Sequence, residues 1–277
     1  MQALPWLVHG FTTRAGGVSS CYGGQSLNLG LTSHDSRENV QRNRLLLLEA
    51  LGAWREGDGP WPIVELKQIH SAVMHRVNAP PGAPLAGDGL LTNTPKLLLA
   101  VKTADCVPVL VADINRRAVA ALHAGWRGTV ARIVEKGVGE MRRHFGSDPR
   151  DLRAALGPCI RRCCYCVGAE VRAQFESQFA YAGELFEEVF DPDALHVRYP
   201  LLFLNQRPPG HGDHGPEIHL DLIAANRRQL EDAGVVAEHI SVIEGCTACD
   251  TTRFFSHRAE SGKTGRMMAV IGIRRPE

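Results

Sequence analysis

The chain has 277 residues, of which 44% are hydrophobic and 22% are charged. That composition is ordinary for a globular protein with a substantial core. The formal net charge of +1 gives the chain no overall basic field, so its composition does not favour nucleic acid as a partner.

The sequence has no apolar run of the roughly 18 residues that a transmembrane helix needs, so we expect no membrane partner. Residues 1–25 lack the apolar core and the small-residue cleavage site of a secretory signal. We therefore expect a cytoplasmic protein whose eight cysteines serve as ligands, nucleophiles or buried thiols, without a structural disulfide. We also expect one domain spanning residues 1–277.

Hydrophobic periodicity predicts that strands and helices alternate along the chain. Asp35 and Glu38 resemble a capping pair at the start of the first helix. The segment 63–77 is consistent with a strand pair or one long bent strand. Helices are predicted at 35–51, 129–145, 168–179 and 220–233, and strands at 97–102, 151–158, 240–243 and 266–273, with a hairpin between 106 and 123. Together they indicate a mixed α/β (α+β-like) fold with a largely antiparallel central sheet.

The predicted hairpin brings two reactive side chains together. Its two apolar segments flank a turn at 113–117, so Cys106 begins one strand and His123 ends the other, at the same edge of the sheet. With His70, they form a set of one thiol and two imidazoles, which is one of the ligand sets of catalytic zinc sites. Each of the three taken singly is better explained as a buried thiol or a hydrogen-bonded histidine. Together, beside Asp105 and a glycine-rich loop, they favour a functional site.

The loop after His123 has the sequence Ala-Gly-Trp-Arg-Gly-Thr and precedes a predicted helix. Its glycines let the backbone approach a ligand closely. The unpaired N–H groups of the helix start, together with Arg127, predict an anion site, and phosphate is the expected anion. A surface arginine beside an ordinary helix cap explains the same residues about equally well.

Other candidate sites have weaker support. Cys163 and Cys166 form one Cys-x-x-Cys spacing and Cys246 and Cys249 a second, so the four thiols are compatible with a zinc site. They are equally compatible with buried thiols in a reducing compartment. The histidines of the Gly/Pro-rich loop 207–216 are expected to be solvated. Phosphate-binding glycine loops, nucleophile elbows and zinc-protease helices have no counterpart in the sequence.

The ordered motifs of the chain resemble those of the YfiH/YlmD family, whose members have been labelled multicopper polyphenol oxidases or laccase-domain proteins and purine nucleoside phosphorylases. The resemblance covers nearly the whole chain. The motifs that carry it are Phe11-Thr12-Thr13-Arg14, Ser26-Leu27-Asn28-Leu29-Gly30, Asn43-Arg44, Gln68-Ile69-His70-Ser71, Asp88-Gly89, Thr103-Ala104-Asp105-Cys106, His123-Ala124-Gly125-Trp126-Arg127-Gly128-Thr129, Leu156-Gly157-Pro158-Cys159 and Thr264-Gly265-Arg266.

The resemblance implies a three-layer α/β sandwich like the cysteine-dependent deamidase domain of cytotoxic necrotizing factor. It also implies that His70, Cys106 and His123 bind zinc. The implied reaction is phosphorolysis of adenosine, inosine, guanosine or methylthioadenosine, with deamination of adenosine as a second reaction. The implied partners are therefore a purine nucleoside and phosphate.

Further site residues follow from the positions of the shared motifs. Asn28, Arg44 and Gln68 are predicted to contact the ribose or the base, and Asp105 to contact the substrate or orient a metal ligand. Arg127 is predicted to hold phosphate. One departure from the family pattern is Cys166, which stands where the family usually has glutamate, so the substrate preference is open.

Three alternatives to a zinc-dependent phosphorylase remain open at this stage. One is a metal-free hydrolase or deamidase, with Cys106 as nucleophile and His123 as its base. Another is a copper-dependent polyphenol oxidase, although the sequence lacks the paired His-x-His strings that would hold a multinuclear copper cluster. The third is a non-catalytic regulator that binds nucleosides. Copper in place of zinc stays open, and a monomer is favoured.

Overall fold

The structure, a computed structural model, describes residues 4–55, 59–190 and 216–275. These residues fall into two compact units. The larger contains the described residues up to 161 and from 222 onward, and the smaller contains those between 162 and 221. The prediction of a single domain over 1–277 stays a prediction. The predicted loop 207–216 lies outside the described residues except for its last position.

Strands are the main element of the described chain. In order, they are β1 (Leu7–Phe11), β2 (Trp54–Arg55), β3 (Gly59–Pro60), β4 (Ile63–Glu65), β5 (Met74–Arg76), β6 (Gly89–Thr92), β7 (Leu98–Thr103), β8 (Val107–Asp113), β9 (Ala118–Ala124), β10 (Leu152–Leu156), β11 (Cys166–Val167), β12 (Phe186–Val189), β13 (Glu217–Leu220), β14 (Ile240–Val242) and β15 (Met267–Ile273). The α-helices of the described residues are α1 (Arg37–Ala50), α2 (Trp126–Val130), α3 (Ile133–Phe145), α4 (Ala169–Gln178) and α5 (Leu222–Asp232). None of the described helices is long and apolar enough to cross a membrane.

Two mixed sheets build the larger unit. One has the order β1-β15-β7-β4 and the other the order β14-β10-β8-β9-β6-β5. The inner strands of both sheets pair antiparallel, whereas β4, β5 and β14 join as parallel edge strands. The predicted mixed α/β class with a largely antiparallel sheet is confirmed.

The core of the larger unit lies on both faces of β7, because successive side chains of a strand point to opposite faces. Leu99 and Val101 belong to a buried cluster with Leu110 of β8, which joins the two sheets. Leu98, on the other face, packs in a second cluster with Leu47 of α1. The first four residues of β7 are accordingly all apolar, as expected for a strand that is buried on both faces.

The smaller unit contains the three-stranded antiparallel sheet β11-β13-β12 and helix α4. Phe175 of α4 is fully buried, and its ring centroid lies 5.6 Å from that of Phe186 in β12 and 5.7 Å from that of Phe179. This aromatic contact holds the helix against the sheet, since such ring pairs add about 0.5–1.5 kcal/mol beyond area burial.

The predicted helix 129–145 is wrong in one respect, because the structure divides it. Helix α2 ends at Val130 and α3 begins at Ile133, with Arg132 between them in the left-handed region at φ 59°. The carbonyl of Thr129 accepts a hydrogen bond from the Gln229 side chain of α5 at 2.8 Å, and the Thr129 hydroxyl bonds with Asn226. These contacts from α5 fix the end of α2, which a local pattern does not show.

The cap of α1 also differs from the prediction. Ser36, not Asp35, is the N-cap, and its hydroxyl accepts from the backbone N–H of Asn39 at 3.1 Å. Asp35 instead accepts hydrogen bonds from Ser19 at 2.5 Å and Asn28 at 2.7 Å. The aspartate is therefore used for a tertiary contact, and the adjacent serine is left to cap the helix.

Candidate metal centre

The connection between β4 and β5 crosses from one sheet to the other and carries His70. Segment 63–77 thus forms two strands that lie in different sheets and pair with β7 and β6 instead of with each other, so it is neither the predicted strand pair nor one long bent strand. Cys106 directly precedes β8, and His123 lies in β9 opposite Pro108, so the predicted hairpin is confirmed. One ligand atom each of His70, Cys106 and His123 lies within 4.8 Å of the others.

The three side chains differ in solvent exposure. His123 is buried, Cys106 is half-buried and His70 is exposed. The two imidazole rings meet edge to face, with centroids 5.0 Å apart. An ion at this point would have protein ligands on one side and remain reachable from the other, which is the arrangement of open catalytic metal sites.

Asp88 orients His123. The Nδ1 atom of His123 lies 2.9 Å from Oδ1 of Asp88, and both side chains are buried. Burial raises the pKa of Asp88, but hydrogen bonds from His123 and Ser71 outweigh it and lower that pKa to about 2. Because the ionised carboxylate only accepts, Nδ1 carries the proton and Nε2 is left for Cys106 or a metal. This carboxylate–histidine pair is typical of metal centres.

Asp88 also fixes the loop that carries His70. Its carboxylate accepts the backbone N–H of His70 at 3.1 Å, and the N–H and hydroxyl of Ser71 at 2.6 and 2.8 Å. These bonds hold His70 in the left-handed region at φ 57°. One buried carboxylate thus positions both histidines of the trio.

The backbone on both sides of Asp88 packs closely against the segment that contains β5. A Cβ at Gly89 would lie 2.2 Å from Cγ of Met74 in β5, and a Cβ at Gly87 would lie 2.8 Å from the carbonyl oxygen of Val73. Only glycine fits on either side of Asp88, because β5 passes directly beside it. The sequence Gly-Asp-Gly suggests an ordinary turn, so the structural role of Asp88 was not predicted.

The glycine after the hairpin shapes the thiol side of the centre. A Cβ at Gly125 would lie 2.9 Å from Sγ of Cys106 and 3.1 Å from Cδ2 of His70. The space beside these two side chains is therefore available only because position 125 has no side chain. The trio fits a zinc-class ion: its donors are the thiolate and imidazole types that zinc takes, and its buried histidine has the expected carboxylate partner.

The electrostatics of the trio favour the thiolate. Burial raises the pKa of the Cys106 thiol, but the charge of His123 and hydrogen bonds from His123 and His70 reverse this and lower it to about 6. Burial lowers the pKa of His123, whereas the Cys106 thiolate and Asp88 raise it to about 9. In the protein alone, the two groups therefore form a thiolate–imidazolium pair, and a bound cation would take the place of the imidazolium proton.

Asp105 holds the backbone just before Cys106. Its φ of 99° is rare for a residue other than glycine and costs on the order of 1–3 kcal/mol. The cost is offset by two short hydrogen bonds to its carboxylate, from the Thr247 hydroxyl and from the Arg258 N–H, both at 2.7 Å. The contacts of Asp105 within the protein thus set the position of the neighbouring thiol.

The other predicted substrate residues contact protein groups. Asn28 is fully buried and bonds through its side-chain amide to Gly30, Asp35 and the Arg266 N–H. Arg44 donates to the carbonyl of Leu29 and pairs with Glu65 at 3.0 Å. Gln68 exchanges two hydrogen bonds with the backbone of Lys102. Substrate contact by Asn28, Arg44 or Gln68 stays a prediction.

Arg127 lies in the short helix α2, with its side chain exposed. Its guanidinium lies over the Trp126 ring, 4.2 Å from the centroid. Gly125 caps this helix without a side-chain hydrogen bond. The helix has only five residues, so its dipole adds little, and an anion here would depend mainly on the arginine.

Known proteins are similar to this chain over nearly its whole length. A family described as multi-copper polyphenol oxidoreductase laccase matches residues 8–274. A purine nucleoside phosphorylase of Deinococcus radiodurans is 39% identical, over 97% of this chain and 90% of that protein. The purine nucleoside phosphorylase YlmD of Geobacillus stearothermophilus is 35% identical, over 99% of this chain and 96% of that protein. The chain belongs to the YfiH/YlmD family.

Solved structures of this family have the same fold. YfiH of Bacillus licheniformis superposes with a TM-score of 0.80 at 33% identity, covering 97% of this chain and 93% of the other. YlmD of Geobacillus stearothermophilus gives a TM-score of 0.78 at 33% identity, covering 98% and 93%. The family description refers to copper oxidation and the names of the relatives to phosphorolysis, so the chemistry of the site must distinguish the two.

Proposed function

We propose that this chain is a zinc-dependent purine nucleoside phosphorylase whose metal ligands are His70, Cys106 and His123. The observation that carries the proposal is the convergence of these three donors at one sheet edge, with Asp88 behind the buried histidine. The names of the relatives support phosphorolysis as the reaction. Adenosine, inosine, guanosine and methylthioadenosine are the proposed substrates.

The residues of the chain have distinct tasks in this proposal. Zinc, when bound, would supply a Lewis acid beside the nucleoside or lower the pKa of a water molecule. Asp88 keeps Nδ1 of His123 protonated, so that Nε2 faces the centre. Cys106 supplies the anionic ligand. Asp105 keeps the backbone before that thiolate in place, and Arg127 offers an exposed cation for the phosphate that attacks the anomeric carbon.

The metal-dependent reaction can be tested with a matched pair of cysteine variants. Purified protein is assayed on the four nucleosides with and without phosphate, and ribose 1-phosphate and free base are measured together with zinc and copper content. Cys106→Ala is expected to lose the metal and the turnover, whereas Cys21→Ala, at another half-buried cysteine, should keep both. Parent-rate phosphorolysis by Cys106→Ala would refute the site.

The same assay distinguishes the remaining functions. Release of base without phosphate, surviving chelation, would indicate the Cys–His hydrolase, which the hydrogen bond between Cys106 and His123 also permits. Inosine and ammonia formed from adenosine would show the proposed deaminase side reaction. Copper with oxidation of phenols would support the polyphenol oxidase. Tight nucleoside binding without any product would support the non-catalytic regulator.

The phosphate contact is tested separately at Arg127. Arg127→Ala should raise the KM for phosphate about tenfold or more while the metal content stays at the parent value, because a charge-assisted contact to an anion contributes about 1.5–3 kcal/mol. Arg143→Ala, on the surface of α3, is the charge-matched control. Unchanged phosphate binding by Arg127→Ala in isothermal titration would remove Arg127 from the proposed site.

A further inference from the structure

A second group of metal-ligating side chains lies in the smaller unit, on the sheet β11-β13-β12. Cys166 of β11 and His219 of β13 are directly opposite in the antiparallel ladder. Opposite residues of such a pair point to the same face, as do residues two apart on one strand. Glu217 therefore shares that face, and one donor atom of each residue lies within 4.8 Å of the others.

The hydrogen bonds of His219 indicate which of its nitrogens faces the group. Nδ1 lies 2.6 Å from the backbone carbonyl of Arg162, and since a carbonyl only accepts, Nδ1 must carry a proton. Nε2 lies 3.1 Å from Oε2 of Glu217. In the neutral ring, the lone pair of Nε2 would face a carboxylate oxygen, so this contact requires either a second proton on the ring or a cation shared by the two groups.

The same contacts suit a cation shared by His219 and Glu217. A histidine that donates Nδ1–H to a backbone carbonyl and presents Nε2 is the usual form of a metal-ligating histidine. Zinc bond lengths imply a separation of roughly 3.4 Å between nitrogen and oxygen ligands in a tetrahedral site. The observed 3.1 Å would need to open by only a few tenths of an ångström.

The surroundings of the three donors set the kind of site. The side chain of His219 is 10% exposed and that of Glu217 is 67% exposed, so an ion has a buried anchor and an entry from solvent. One sulfur, one nitrogen and one oxygen donor match a borderline divalent ion such as zinc rather than calcium or magnesium, which take oxygen ligands. We propose that Cys166, Glu217 and His219 form a second zinc-class site, which links β11 to β13 in the smaller unit.

The test uses the full-length protein carrying Cys106→Ala, so that the thiolate of the first centre is absent. The chelator-treated protein is titrated with Co²⁺, whose charge-transfer absorption reports thiolate ligands, and its zinc content is measured after reconstitution. Adding Cys166→Ala should remove one equivalent of metal and the absorption of one thiolate. Adding Cys21→Ala instead should change neither. Equal metal content and absorption with and without Cys166 would overturn the proposal.

A second variant avoids any effect on folding. Glu217 is exposed, so Glu217→Gln should leave the fold intact while weakening Co²⁺ binding in the Cys106→Ala background by at least tenfold. The measurement is the dissociation constant from competition with a chelator. An unchanged constant would also contradict the site. Neither measurement depends on nucleoside turnover, so failure of this site and failure of the proposed phosphorylase activity are distinguishable.

Discussion

Replacement of Gly125 by alanine is the sharpest single test of the metal centre. The backbone at this position has φ −72° and ψ 172°, which any L-residue adopts without strain. The substitution therefore adds one methyl group and leaves the backbone preference satisfied. Any effect must come from the contacts of that methyl group.

The magnitude follows from the distances of the added carbon. It would lie 2.9 Å from Sγ of Cys106 and 3.1 Å from Cδ2 of His70, whereas carbon atoms in contact are about 3.5–4.0 Å apart. Sγ of Cys106 must then move by roughly 0.5 Å or more and Cδ2 of His70 by a few tenths of an ångström, but metal–ligand distances tolerate only about 0.2 Å. We expect metal affinity and kcat/KM each to fall at least tenfold, since small displacements of catalytic groups are costly in rate.

The assay compares Gly125→Ala with Gly139→Ala. A Cβ at Gly139 has no heavy atom within 4 Å, and the residue lies inside α3. The control should keep metal and activity and gain about 0.5–1 kcal/mol of stability from the better helix former. Metal affinity is measured by chelator competition, and stability by urea unfolding. If Gly125→Ala binds metal as tightly as the parent, the close packing of the ligands around position 125 is not required.

Two further predictions concern carboxylates, the buried Asp88 and the half-buried Glu65. Asp88→Asn should weaken metal binding about 10–100-fold, measured by chelator competition. An amide has one acceptor oxygen, so it cannot accept both the bonds that His123 and His70 make to Oδ1 and the bonds that Ser71 makes to Oδ2; parent affinity would exclude the orienting role. Glu65 has its pKa raised by burial but lowered overall by Lys102 and Arg44. Its stabilising contribution is therefore present above the unfolded pKa of about 4.3 and lost as pH falls below it. Urea stability should fall less steeply from about pH 5 to 3 in Glu65→Gln than in the parent, and parallel curves would contradict this.

Local sequence predicted the central hairpin and its two reactive residues. Apolar strands on either side of an Asp-Ile-Asn-Arg-Arg turn leave few alternatives to antiparallel pairing, and pairing alone brings Cys106 and His123 to one edge. The partnership of His70 with them was also proposed from residue type, because one thiol and two imidazoles are a known zinc set. These inferences depend on the local hydrophobic pattern and on the ligand chemistry of single residue types, and both can be recognised from the sequence alone.

The orienting role of Asp88 was not predicted, since it depends on contacts between distant segments. The sequence Gly-Asp-Gly suggests that Asp88 is a turn residue, whereas the structure places it directly beside β5. The division of helix 129–145 depends on side chains of α5 that are remote along the chain. Asn28, Arg44 and Gln68 contact the protein itself in the structure, which residue type alone does not reveal.

The sequence by itself thus indicated the mixed α/β class and the family, and it supplied the three residues that we propose as metal donors. Only the tertiary structure decided which nitrogen of His123 faces Cys106, how close a side chain at position 125 would come to Cys106 and His70, and that Cys166 lies opposite His219 across a sheet. The physical reason is that strand composition and ligand chemistry are local properties. A tautomer, a steric limit or a cross-strand register exists only once distant segments are packed together.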